Sequence, residues 1–599
     1  MRKSWSLIKD VINRNKRKPQ KLPKLIINGM PCEDSQLIAN SFINFFTNIG
    51  ITLDKKIPTT NIDPLSFIPK NYTIDINLDP TTEEEVSKSI DKLKNCARGW
   101  DLFPASILKD NKTIFSRLLS HIINLSFIQG IFPSQLKIAN IIPIFKSGET
   151  DNIGNYRPVS LLSTVSKVFE RAFYKRLALF ITEQKILYEL QFGFREGHAT
   201  YMAIIKLLDN IIASLDKGHF AAGIFLDFSK AFDTVNHQIL LNKLHHYGIR
   251  GVANTWVNSY LTDRIQYCTV NNTKSTETKV LCGVPQGSIL GPLLFLIYVN
   301  DLGQIFKNIS AIIFADDTNL IASGNSPENL EKSINEEIPT LINWLRTNRL
   351  SLNLKKTHLM IFRNSNKSKE NNISVKIDGE PLEVVNHTKF LGIIMDNTLN
   401  WKLHIAMITQ KIAKSVGIIS RARQLLNSKI LKQLYYSFLY PYLMYCITIW
   451  GQANDTTLWP IFRLQKRAIR LINNIRRRDS TKNAFFTLRI LRLPDLYKYS
   501  ILLFMYKYKN NLLPNTFDEF YQINSVFHRY PTRKANQFRG PKLKTKMAQL
   551  FIRNSGVTIW NNYENQIDIN KSISCFKKDI TSIFLSKYSD QEIQNKPNS

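Results

Sequence analysis

The chain has 599 residues, with 80 Lys+Arg against 47 Asp+Glu, a net charge of +33 and 44% apolar residues. That apolar share supplies several buried cores and excludes a disordered chain, while a cationic surplus of this size points to a polyanionic partner. The six cysteines (Cys32, Cys96, Cys268, Cys282, Cys446 and Cys575) lie no closer than 14 residues apart, which excludes a zinc knuckle or a CxxC pair and reads as reduced intracellular thiols.

Residues 1–30 read as a basic linker, and no signal peptide is expected from so mixed an opening. The cluster Arg14-Asn15-Lys16-Arg17-Lys18 suits a linker or a nuclear import signal. Residues 33–50 place Leu37, Ile38, Phe42, Phe45 and Phe46 at helical spacing. Thr81-Thr82-Glu83-Glu84-Glu85 caps a second helix running to about Leu93. After the loop Gly99-Trp100-Asp101-Leu102-Phe103-Pro104, residues 105–215 read as mainly helical, broken at Ile141–Leu162. Residues 219–365 mix strands and helices. Val375-Lys376-Ile377 and Leu382-Glu383-Val384 flank an Asp378-Gly379 turn, a strong hairpin signal. From residue 401 onward the pattern is helical. The apolar stretch Ile430–Trp450 contains Lys432, Pro441 and several tyrosines, so it reads as buried helices and no membrane span is expected. Between 461 and 550 there are 20 Lys+Arg and 4 Asp+Glu, a net of +16. Phe485, Phe486, Tyr497, Phe527, Tyr506-Lys507-Tyr508-Lys509 and His528-Arg529-Tyr530 interleave rings with these cations. That pattern fits stacking on bases with phosphates held alongside, or equally a helical domain with a solvated charged face.

The acids that carry chemistry lie between 219 and 365. Asp227 ends the apolar run Ala221-Ala222-Gly223-Ile224-Phe225-Leu226. Phe314-Ala315-Asp316-Asp317 joins Ala311-Ile312-Ile313 to Asn319-Leu320-Ile321-Ala322, which reads as strand, tight turn and strand. Adjacent carboxylates at such a tip repel each other and are costly to desolvate, and a divalent metal is the usual compensation. Three carboxylates at strand ends can hold two Mg²⁺ ions ~3.5–4 Å apart, an arrangement suited to phosphoryl transfer. Neighbouring strand residues face opposite ways, so Asp317 is expected to act partly from behind the other two.

The string Phe225-Leu226-Asp227-Phe228-Ser229-Lys230-Ala231-Phe232-Asp233 is followed by Gly283-Val284-Pro285-Gln286-Gly287-Ser288-Ile289-Leu290-Gly291-Pro292 and then by Phe314-Ala315-Asp316-Asp317. In that order and spacing the chain resembles the reverse transcriptases of non-LTR retrotransposons (LINE elements), particularly the jockey-like group. The resemblance continues in Asn155-Tyr156-Arg157-Pro158-Val159-Ser160-Leu161-Leu162, Gln191-Phe192-Gly193-Phe194-Arg195, Lys355-Lys356-Thr357, Phe390-Leu391-Gly392, Pro441-Tyr442-Leu443, Trp450-Gly451 and Trp560-Asn561.

What the resemblance implies is an α+β right-hand polymerase with helical fingers, an α+β palm and a helical thumb, followed by a basic, mainly helical C-terminal region. The implied division is a basic linker at 1–30, an N-terminal extension at 31–95 and fingers at 96–218. The palm with its primer-side hairpin then spans 219–400, the thumb 401–480 and the basic C-terminal region 481–599. Asp227, Asp316 and Asp317 become the catalytic metal ligands for two Mg²⁺, with Mn²⁺ as an alternative. Lys146 and Arg157 hold the triphosphate, Arg because its planar fork grips phosphate oxygens bidentately. Phe232 packs against the sugar and excludes a 2′-hydroxyl, Gln286 and Gly287 form the loop over the nucleotide and template base, and Lys356 protonates the leaving pyrophosphate. Arg195, Arg476, Arg477 and Arg478 contact nucleic acid. Template RNA, a DNA primer or target and dNTPs are the implied partners, in the nucleus and cytoplasm. An upstream endonuclease is not seen in residues 1–90, nor an RNase H carboxylate set after the thumb. The competing readings are a non-catalytic nucleic-acid binder descended from such an element, and a group II intron-type maturase.

Overall fold

Seven consecutive residues, Phe220–Leu226, form the middle strand of a five-stranded sheet and explain why the run is apolar throughout. In this computed structural model, which describes residues 24–27, 29–95, 98–364, 373–526 and 535–589, the sheet order is Glu383–Val384, His358–Phe362, Phe220–Leu226, Asp317–Gly324, Ser310–Phe314. Both faces are covered. Ala221 and Phe225 face one core with Ile312, Ile321, Met360 and Phe362. Ala222, Ile224 and Leu226 face another with Ala311, Ile313, Leu320 and Leu359. A period of two therefore survives as a choice between two cores, not between core and water.

The first core is built on helix Thr200–Asp216 and runs without interruption through the helical C-terminal half as far as Tyr588. Ion pairs reinforce that docking: Arg553 Nη1 meets Asp209 Oδ1 at 3.1 Å. Asp216 Oδ1 also accepts from the amide and hydroxyl of Thr545, the residue whose side chain caps helix Lys546–Leu550. The second core holds helices Thr164–Glu183, Gly291–Tyr298 and Pro327–Thr347. Inside it Lys243 and Asp301 form a fully buried ion pair at 2.7 Å, with the Tyr298 carbonyl completing the ammonium's bonds.

A second sheet runs Tyr156–Leu162, Ile138–Phe145, Arg264–Val270, Thr273–Lys274, with Thr278–Val280 also paired to Arg264–Val270. Helix Ser35–Asp54, started by the Asp34 side chain accepting from the Gln36 and Leu37 amides, lays Phe42, Phe46 and Ile43 against it. Arg349 Nη2 donates to the Asp54 carbonyl and ties the end of this helix to the five-stranded sheet's layer.

Most elements fall where the sequence puts them. Thr82 caps Glu83–Asp91, and the break at Ile141–Leu162 is the hairpin of the second sheet. The stretch 430–450 is divided into Ser428–Leu434, a π-helical turn at Tyr435–Leu439, Tyr440–Met444 and Ile447–Trp450. Among the described residues no helix is long and apolar enough to cross a membrane. One expectation is corrected. The turn Asp378-Gly379 forms with φ of 50° and 84°, but the strand returning from it is Glu380–Pro381. Glu383–Val384 instead pairs in parallel with His358–Phe362. Pro381 lacks an amide hydrogen, the Leu382 amide still donates to the Val375 carbonyl at 2.9 Å across the turn, and the Leu382 and Val375 side chains both enter the second core before Glu383 leaves the hairpin. The cluster at residues 14–18 lies outside the described residues.

Candidate active site

The register between the two inner strands builds the site. Leu226 pairs with Thr318, so the strand end carrying Asp227 lies level with the Asp316-Asp317 turn. Phe314 pairs with Asp317, which leaves Ala315 and Asp316 as a two-residue loop. Asp227 is fixed through its backbone: its carbonyl accepts the Asn353 amide at 2.7 Å and its amide donates to Thr357 Oγ1 at 3.2 Å.

Asp316 and Asp317 are exposed at the turn, yet enough protein surrounds them to weaken their hydration. Burial lifts the Asp316 carboxyl above its ordinary range, with Asp227 adding repulsion while Arg157 and Lys146 oppose it. Asp317 is pushed up to about 6 by burial, then by Asp316 and Asp227. Burial likewise lowers the Lys146 ammonium; Arg157 and Lys356 push the same way and Asp227 and Asp316 oppose. The sequence-predicted Asp227, Asp316, Asp317, Lys146, Arg157 and Lys356 therefore share one electrostatic neighbourhood.

Lys146 directly follows strand Ile138–Phe145, and Arg157 stands opposite Ile144 in the same hairpin, with its side chain exposed. Lys356 is exposed in the turn before His358–Phe362. A fourth cation was missed from sequence. Lys230 takes a left-handed backbone at φ 50° and donates to the carbonyls of Gly154 and Tyr156, each at 3.3 Å. It feels Lys146, Arg157 and Lys356 as well as Asp233. The only local signal was its place within the Asp227–Asp233 string.

Phe232 stacks on Phe295 with centroids 4.4 Å apart and meets the edge of Phe194 at 6.3 Å. Gln286 donates from Nε2 to Asp233 Oδ1 at 2.7 Å, and its carbonyl accepts the Ser160 amide at 2.8 Å. Asp233 is half-buried, and desolvation pushes its carboxyl up to about 6 against the Gln286 bond and the Lys230 charge. Gly287 has φ of 114° and lies so close to Ser160 that a Cβ would stand 2.9 Å from its carbonyl oxygen, so glycine is required there. From the other side, Glu170 Oε2 accepts the amides of Ile289 and Leu290.

Several of the expected nucleic-acid contacts are engaged within the fold. Arg195 turns inward, donating to the carbonyls of Tyr188 and Gln191 at 2.9 and 3.0 Å. Phe485 and Tyr506 are core residues, and Tyr497 packs against that core, because these rings fill the space between helices, Phe485 against Phe462 and Tyr506 against Phe576. Lys509 pairs with Glu564 at 3.1 Å. Phe486 stays 43% exposed, and Arg476, Arg477 and Arg478 are exposed after helix Asp455–Ile472. Phe527 and His528-Arg529-Tyr530 lie outside the described residues.

Among the described residues no three His, Cys, Asp or Glu side chains form a ready-made metal cage. Mg²⁺ in nucleotide sites is commonly held by one or two carboxylates, with water and substrate phosphates completing the shell. Carboxylates raised by desolvation and by one another fit that role, because a cation relieves both penalties.

The family model described as reverse transcriptase (RNA-dependent DNA polymerase) matches residues 144–395, an interval containing all three acids. The chain is 29% identical over 485 residues to the probable RNA-directed DNA polymerase from transposon BS of Drosophila melanogaster, covering 77% of this chain and 52% of that protein. It is 30% identical over 357 residues to the corresponding X-element protein of Drosophila melanogaster, covering 57% and 38%. It is 28% identical over 470 residues to the RNA-directed DNA polymerase from mobile element jockey of the same organism, covering 75% and 50%. The chain thus spans about half the length of the first of these relatives. Residues 144–395, which hold the two acid-bearing strands and the hairpin that carries Lys146 and Arg157, thus match a reverse transcriptase domain, and the chain is similar to the RNA-directed DNA polymerases of BS and jockey.

Proposed function

We propose that the chain is the RNA-directed DNA polymerase of a non-LTR retrotransposon, copying element RNA into DNA from a nicked-DNA primer. The observation that carries this reading is the Asp316-Asp317 turn set level with Asp227 and coupled electrostatically to Lys146, Arg157 and Lys356. Acids beside cations in one electrostatic neighbourhood match the charge layout of nucleotidyl transfer, where positioning and charge stabilisation do most of the work. Template RNA, primer DNA and dNTPs are the substrates this requires, and the work divides between cytoplasm and nucleus if the primer is chromosomal.

In this scheme the primer 3′-oxygen bonds to the α-phosphorus of a dNTP as the bond to the β-phosphate bridging oxygen breaks, and pyrophosphate leaves. Asp227 and Asp316 would hold two Mg²⁺ (or Mn²⁺), which supply charge stabilisation at the attacking and leaving oxygens, with Asp317 supporting them. Arg157 and Lys146 take the triphosphate oxygens, and Lys356 delivers a proton to the departing pyrophosphate. Lys230, bonded to Gly154 and Tyr156, braces the hairpin that carries Arg157. Phe232, held by its stack on Phe295, would pack against the sugar and exclude a ribose 2′-hydroxyl.

The test is primer extension by the full chain on an RNA template with Mg²⁺. Asp227→Asn should fold, bind RNA and lose at least ~100-fold in extension, since removing metal charge stabilisation costs several kcal/mol. Extension near the wild-type rate would show that the metal site lies elsewhere.

A further inference from the structure

In the segment Gln191-Phe192-Gly193-Phe194-Arg195, Gln191, Phe192 and Gly193 lie against the acidic turn. Gln191 is 2% exposed. Its backbone bridges in parallel to Ile313 in the strand leading into the turn. The Phe192 amide donates to the Ile313 carbonyl at 2.8 Å, and the Ile313 amide donates to the Leu190 carbonyl at 3.0 Å. The Gln191 side-chain oxygen accepts two amides, from Gly193 at 2.8 Å and from Ala315 at 3.1 Å. Both partners are N–H donors, which fixes the oxygen as the atom facing them.

Ala315 is the residue in need of support. It adopts φ of 59° at the tip of the two-residue loop, directly before Asp316. A non-glycine residue keeps such a backbone only where its surroundings over-determine it. Gly193 completes the contact, because a Cβ there would collide with the Ala315 amide nitrogen. Arg195 closes the brace from behind by donating to the carbonyls of Tyr188 and Gln191.

We propose that Gln191 is a positioning residue for the acidic turn: its buried side-chain oxygen holds the Ala315 amide, and with it the direction in which the Asp316 carboxylate points. The proposal rests on the reading of Asp316 as a metal-holding carboxylate. Gln191 touches neither substrate nor metal in this account; it acts through the loop. Removing the acceptor leaves a buried amide unpaired and frees the loop to leave its left-handed conformation.

The test compares Gln191→Met, which keeps the volume and loses the amide oxygen, with Gln191→Glu, which keeps an oxygen acceptor, and with Gly193→Ala, which pushes on the same loop. Each is read by kcat and dNTP KM in RNA-templated extension, and by amide hydrogen exchange of the metal-free full chain. Gln191→Met should lower kcat roughly 10- to 100-fold, the scale of a 1 Å misplacement, with dNTP KM within about threefold. Exchange should rise at residues 314–317 while helix 200–216 keeps its protection. Gln191→Glu should retain loop protection and most of kcat, and Gly193→Ala should resemble Gln191→Met. Wild-type kcat and wild-type exchange in Gln191→Met would overturn the proposal, as would protection lost evenly across the chain. Asp316→Asn is the control that separates the two readings. If it extends normally the metal assignment fails, and the exchange arm still decides whether Gln191 holds the loop.

Discussion

Glu170 offers a measurement in which one proton reports on the loop that carries Gln286 and Gly287. It is fully buried on helix Thr164–Glu183, with Ser166 beside it and the Ile289 and Leu290 amides donating to one carboxylate oxygen. Burial raises its carboxyl above the ordinary range, and these amides and the Arg264 charge only partly offset that. Tyr260 adds no positive charge, so the folded protein holds the proton to a higher pH than the unfolded chain does. The stabilisation from this group is therefore complete below the unfolded glutamate value of about 4.3 and is lost as pH rises toward the folded value. Glu170→Gln removes that dependence while keeping the shape and one acceptor oxygen. The unfolding free energy of Glu170→Gln relative to wild type should climb with pH above about 4.3, by about 1.4 kcal/mol per unit while only the folded state holds the proton. Urea unfolding of both proteins in parallel from pH 4.5 to 7 measures it, and the difference cancels the other raised carboxyls, Asp209, Asp233, Asp316 and Asp317, which tilt both curves alike. A difference that stays flat across that range would refute the reasoning and mean that Arg264 and the two amides keep Glu170 ionised in the fold.

Phe232→Val should raise the ratio of rNTP to dNTP kcat/KM, measured with matched nucleotide pairs, because it removes the ring that Phe295 holds beside the site. An unchanged ratio would reduce Phe232 to packing. The full chain should bind single-stranded RNA with an affinity that falls steeply with salt, and replacing Arg476, Arg477 and Arg478 together by Ala should lower the log–log slope by up to ~2, at roughly 0.7 per phosphate contact. A slope unchanged by the triple substitution would leave those arginines as a solvated corner. The full chain is the right material, since residues beyond 461 share one core with helix Thr200–Asp216.

The sequence by itself determined whatever depends on neighbours a few residues away. The apolar run ending in Asp227, the strand–turn–strand around Asp316 and the Thr82 cap are written in period, turn chemistry and capping, which act within a few residues. Tertiary structure decided what each side chain faces. Arg195 looked like a nucleic-acid contact, but its nearest acceptors are carbonyls of its own loop. Phe485 and Tyr506 looked like stacking rings and are buried, because a ring between cations reads alike on a solvated face and on a core face until the packing partner is known. Gln286 is claimed by Asp233, 53 residues earlier, and Gln191 by Ala315, 124 residues later. Such pairings carry no local period, because they are fixed when strands 220–226 and 317–324 come into register and the surrounding helices close over both faces.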